Sequence, residues 1–187
     1  MYEGLEKGME AIARCIQEKG PFEGVVGFSQ GAAAAAMVAS LLEGAPRLEA
    51  FRRAEREGGM EYPSSFLAGD GEGEAFVQGP LKFAVCYSGF RAPGALYRGF
   101  YEPEIRTKVL HVLGQVDVVV DEVRGRELVR VCEGGEGNVV VHPGGHFVPS
   151  QKPWLDAVVG FVKDCVEGSD GRKEEKEVSV EDMDVPF

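Results

Sequence analysis

Four short apolar runs, separated by stretches with helical spacing, constrain this chain more than any other feature. Leu81–Ser88 (LKFAVCYS) and Thr107–Leu113 (TKVLHVL) are unbroken β-prone runs, the pattern of strands covered on both faces. Glu23–Phe28 (EGVVGF) and Asn138–His142 (NVVVH) are shorter runs of the same kind. Around them the period changes. Leu5, Met9, Ile12 and Ile16 recur every three or four residues, so Glu3–Lys19 reads as an amphipathic helix that Gly20-Pro21 ends. Gln30–Leu42 (QGAAAAAMVASLL) reads as a helix whose alanines let it approach a sheet closely. Val123, Leu128, Val131 and Cys132 mark a helix within Asp121–Cys132, and Trp154, Val158, Val162 and Cys165 mark a final one. Strands alternating with helices predict an α/β architecture, mainly parallel and flanked by helices.

Two segments depart from this alternation. Residues 44–80 are rich in charge and glycine and read as a short helix plus a long surface excursion. It is expected either to be a tolerated insertion or to form a lid that turns Phe51, Tyr62 and Phe66 toward a substrate. Glu167–Phe187 holds 8 acidic and 3 basic residues, so its net −5 supplies nearly half of the chain's −11. With little periodic apolar content it reads as an acidic disordered tail. The organisation expected is one domain over residues 1–166 and a tail over 167–187.

Charge and composition exclude several classes. A pI near 4.8 argues against a nucleic-acid partner, which requires a basic face. No run approaches the ~18 apolar residues of a membrane span, and the charged start is not a signal peptide. A cytoplasmic protein is the expectation. The cysteines (Cys15, Cys86, Cys132, Cys165) show no paired spacing, so a disulfide framework is not expected, and three of them sit inside apolar runs, where buried free thiols are expected. His142 and His146 are split by Pro143-Gly144-Gly145 and cannot share a helix face, so no metal site is expected.

The chemistry concentrates in three places. Gly27-Phe28-Ser29-Gln30-Gly31 fits G-x-S-x-G where a short strand meets a helix, the setting of a nucleophile elbow. There a serine is held in a strained turn, and Gly27 and Gly31 are expected to remove clashes on either side. The backbone N–H of Gln30, at the positive end of its helix, is placed to donate to an oxyanion. A serine needs a base. His146 lies on a glycine-rich loop past the last strand and can reach over the sheet edge; His142 is the rival, and His111 reads as a core residue. The orienting acid belongs beyond another strand, where Asp117 follows His111-Val112-Leu113. Asp121 is the alternative, better placed to cap the next helix.

Pro21 through Ala32 (PFEGVVGFSQGA) resembles the elbow of the FSH family of serine hydrolases, an α/β-hydrolase group. The likeness continues through Tyr87-Ser88-Gly89-Phe90, His111–Asp117 (HVLGQVD) and His142–Pro149 (HPGGHFVP), in the family's order and over roughly Tyr2–Val166. The resemblance implies a Ser29–His146–Asp117 triad that hydrolyses carboxylic esters or thioesters, some on carrier-bound acyl chains, with no cofactor. It also implies an upstream strand and loop that supply a second oxyanion donor, so the α/β-hydrolase domain is expected to be N-terminally incomplete. Expressed as written, the chain is expected to be poorly soluble and nearly inactive. The alternative is a non-catalytic remnant acting as a binding or scaffold protein.

Overall fold

A computed structural model describes residues 2–68 and 75–168. Its elements in chain order are α1 (Leu5–Lys19), β1 (Gly24–Phe28), α2 (Gln30–Leu41), α3 (Ala45–Arg56), β2 (Leu67–Ala68), β3 (Ala75–Phe76), β4 (Phe83–Tyr87), α4 (Arg98–Tyr101), β5 (Lys108–Gly114), α5 (Glu122–Val129), β6 (Val139–His142) and α6 (Lys152–Glu167). Four strands make one parallel sheet in the order β1-β4-β5-β6, and β2 pairs with β3 as a small antiparallel ribbon. All four expected strands and all five expected helices are present, α3 being the short helix expected within residues 44–80, and most of the ends predicted for the others are shifted by one or two residues. The expected acidic tail, apart from its first two residues, lies outside the described residues.

Pairing is in register across the sheet: Gly27 faces Cys86, Cys86 faces His111 and His111 faces Val139. Alternation then divides the strands between two layers. Ala84, Cys86 and Val109 pack with α1, α2, Leu128 of α5 and the aromatic residues after α2. Val85, Tyr87, Leu110 and Val112 pack with Val158, Phe161 and Val162 of α6. Ala32, Ala36 and Ala39 of α2 are fully buried, as the alanine run led one to expect. Val26 and Phe28 share the α6 face through their register with Val85 and Tyr87, yet Val26 is 61% exposed. β1 has no strand on its outer side among the described residues.

The 44–80 region corrects the lid expectation. Phe51, Tyr62 and Phe66 all lie in the core. Phe51 meets Phe100 and Tyr62 edge-on, with ring centroids 4.8 and 5.3 Å apart, a favoured aromatic geometry. The charge run hid this because α3 is amphipathic: Leu48, Phe51 and Ala54 face inward while Arg52, Arg53 and Arg56 stay outside. One charge goes in as well. Arg47 is buried, pairs with Glu43 at 2.7 Å and donates to the carbonyls of Gly99, Pro103 and Glu104. Saturating its donors is what makes burial of the guanidinium tolerable.

Candidate active site

Ser29 stands between β1 and α2 at φ 55° and ψ −119°. Only Ser29 and Ser88 have positive φ among the described non-glycine residues, a conformation that costs on the order of 1–3 kcal/mol and persists only where the surroundings enforce it. Enforcement comes from both sides. The Ser29 N–H donates to the Tyr87 carbonyl at 2.8 Å, and the Ser29 carbonyl accepts from Ala32 and Ala33 as α2 begins. The two glycines of the elbow are not equivalent. A Cβ on Gly27 would lie 2.2 Å from the Gly31 carbonyl oxygen and 2.6 Å from the Ala32 nitrogen, so β1 and α2 meet only because Gly27 has none. A Cβ on Gly31 would meet nothing within 4 Å, which corrects the expectation that both relieve a clash.

His146 and Asp117 converge on this serine from other strand ends. The Ser29 Oγ lies 2.9 Å from His146 Nε2, and His146 Nδ1 lies 2.8 Å from Asp117 Oδ2. Asp117 is buried, and burial would raise its carboxyl pKa. Hydrogen bonds from His146 and from the Val120 and Val119 N–H groups, with the nearby Ser88 hydroxyl, outweigh it and hold the group down at about 2. An ionised carboxylate only accepts. His146 therefore donates from Nδ1, and in the neutral tautomer that this selects, Nε2 is the acceptor for the Ser29 hydroxyl. The Phe28 ring, 4.8 Å from the imidazole centroid, fixes the other side of His146.

The histidine crosses the sheet to get there. His146 follows β6, Ser29 follows β1, and three strand spacings separate those strands, about 14 Å. Its loop passes over the end of β5, where a Cβ on Gly114 would lie 2.6 Å from the Gly145 carbonyl oxygen. The crossing is pinned by Gln115 N–H donating to the His142 carbonyl at 2.8 Å and Val116 N–H to the Gly144 carbonyl at 3.3 Å.

The competing residues are elsewhere. His142 is buried, with its ring 5.1 Å from Phe147, and its Nδ1 accepts from the Gly144 N–H. His111 is a core residue of β5, and burial followed by the Arg126 charge pushes its pKa down to about 4. Asp121 caps α5 by accepting from the Arg124 N–H at 2.9 Å. Gln30 opens α2 beside Ser29. Cys86, Cys132 and Cys165 are buried free thiols and Cys15 is exposed. Sequence reasoning missed Phe28, Ser88 and Gly114. All three stand inside the motifs that carry the family resemblance, which is the signal that could have found them.

A helix-flanked parallel sheet with a serine elbow at its carboxyl edge defines an α/β hydrolase. Zea mays acyl-protein thioesterase 2 has the same fold, with a TM-score of 0.53 and 19% identity over 86% of this chain and 66% of that one. Residues 1–158 match the sequence profile of the serine hydrolase (FSH1) family, and the chain belongs to that family. It is 34% identical over 161 residues to Danio rerio "Esterase OVCA2", and 33% identical over 161 residues to Schizosaccharomyces pombe "Dihydrofolate reductase". Each match takes in 86% of this chain, which spans 57% of the first relative and 29% of the second. No helix among the described residues is long and apolar enough to cross a membrane.

Proposed function

We propose that this chain hydrolyses carboxylic esters or thioesters, with Ser29 as nucleophile, His146 as base and Asp117 as the group that orients and stabilises the imidazole. The observation that carries the reading is the continuous hydrogen-bonded chain from Ser29 Oγ through His146 to Asp117. As Ser29 Oγ bonds to the acyl carbon, its proton passes to His146 Nε2, and the carbonyl π electrons move onto oxygen. The Gln30 N–H donates to that oxyanion. Collapse breaks the bond to the leaving alcohol or thiol, which takes the proton from His146. Water then attacks the acyl-serine, its proton going to His146, and the acid and free Ser29 are released. This chemistry calls for no metal or organic cofactor. A cytoplasmic setting and a carrier-bound acyl substrate belong to the same proposal.

A fluorophosphonate probe tests it: the chain should be labelled, and Ser29→Ala should abolish labelling. Label that survives Ser29→Ala overturns the assignment. A binding role without turnover is the second reading, favoured by the exposure of Val26 and Phe28 on β1, whose outer side pairs with no strand among the described residues. A folded chain that takes no probe at Ser29 selects it.

A further inference from the structure

Resting on the serine-hydrolase reading, we propose that Arg124 selects substrates carrying an anionic group, a carboxylate on the ester or thioester being hydrolysed. Ser29 and Gln30 open into a cavity of about 660 Å³ whose walls include Phe90, Val119, Val120 and Arg124. Its other walls, from α1 and α2, are largely apolar, among them Met9, Ile12 and Met37. Glu3 and Arg124 are its charged lining residues. They form no ion pair with each other, and Arg124 has no carboxylate partner among the described residues, unlike Arg47, Arg98 and Arg126.

The cation is held in position. Its guanidinium lies over the Phe90 ring, 4.7 Å from the centroid, and Nη1 donates to the Val119 carbonyl at 3.1 Å. Asp121 fixes its backbone at the start of α5. One N–H is thus used and no other described residue claims the remaining guanidinium donors, in a fork whose geometry suits a planar carboxylate. A neutral acyl chain would fill the apolar walls and leave this fork idle. A charged one uses both.

The test compares kcat/KM for p-nitrophenyl butyrate with that for mono-p-nitrophenyl glutarate, and for phenyl acetate with that for 4-acetoxybenzoate. The first pair puts the carboxylate on the acyl side of the scissile bond and the second on the leaving-group side. We expect a preference of about tenfold for the anion in one pair, the size of a single charge-assisted hydrogen bond at a partly solvated site. That ratio should fall to about one in Arg124→Gln. Ratios at or below one in both pairs, or a preference that survives Arg124→Gln, overturn the proposal. A ligand-observed NMR titration with glutarate needs no turnover. Weaker glutarate binding to Arg124→Gln supports the proposal even if every ester is inert and the hydrolase reading fails. Equal binding refutes it even if Ser29 takes the probe.

Discussion

Replacing Gly27 by alanine should damage this molecule far more than the same change at Gly31, although the two glycines flank Ser29 symmetrically in sequence. The added Cβ at Gly27 would lie 2.2, 2.4 and 2.6 Å from three backbone atoms of Gly31 and Ala32. Overpacking a core typically costs about 1–3 kcal/mol when side chains can rotate away. Here the neighbours are main chain in the first turn of α2, so β1 and α2 must separate, and we expect a cost at the top of that range, about 3 kcal/mol. For a domain of this size 1 kcal/mol moves Tm by about 2–4 °C, so Gly27→Ala should lose about 6–12 °C. Gly31 is the second residue of α2 with open space around it. Alanine there should leave Tm unchanged or raise it slightly, since glycine within a helix costs up to about 1 kcal/mol. Thermal unfolding followed by circular dichroism, with fluorophosphonate labelling of both variants, measures fold and elbow together. A Gly27→Ala protein melting within about 2 °C of the parent, or Gly31→Ala as the more damaging change, would show that β1 and α2 do not touch as described.

Other expectations concern the groups around the serine. His146→Ala should lower kcat by about a thousandfold or more, because general-base catalysis alone contributes about 10²–10⁴, whereas His142→Ala should act mainly on stability; stopped assays and melting curves on both variants separate these effects. Because its folded pKa of about 2 lies below the ordinary 3.8, Asp117 contributes stability that is present above pH 3.8 and lost as pH falls toward 2. The melting difference between the parent and Asp117→Asn should therefore shrink within that window, and a constant difference refutes the linkage. His111 is also depressed, from 6.5 to about 4, so its neutral form stabilises the fold above pH 6.5 and that contribution disappears as pH falls toward 4; His111→Leu should flatten the melting profile over that range. Gly114→Ala should reduce kcat more than it reduces Tm, since its Cβ would displace the loop carrying His146, and the opposite ranking would argue that the loop adapts.

The sheet was legible because its information is local. No tertiary contact is needed to see that FAVCY is a strand: a run of consecutive β-prone residues bounded by turns suffices, and β4 spans Phe83–Tyr87. The elbow was equally local, with its strand, serine and helix contiguous in the chain. What sequence could not give is packing between distant segments. A lid role for Phe51 and Tyr62 stayed open beside a tolerated insertion because their partners, Phe100 above all, lie much further along the chain. The burial of Arg47 left no mark in the charge-rich run that contains it, because the three carbonyls that claim it come from α4 and the turn after it. The equal treatment of Gly27 and Gly31 failed for the same reason: only the approach of α2 decides which side is crowded.

The strand-end origin of the three central side chains sets how the site can come apart. β1 and β6 are both edges of the described sheet, but His146 follows the four-residue β6, whereas Ser29, after β1, is also tied to β4 through the Tyr87 carbonyl and to the first turn of α2. Short edge strands open at lower free energy than the body of a fold. Fraying of β6 would withdraw the imidazole and leave the hydroxyl on an intact elbow, a partly opened form that keeps the proposed nucleophile and the cavity but not the proposed base. In hydrogen exchange, the amides of Val140 and Val141 should exchange ahead of those of Val25 and Val85, and inactivation in mild denaturant should follow the first pair.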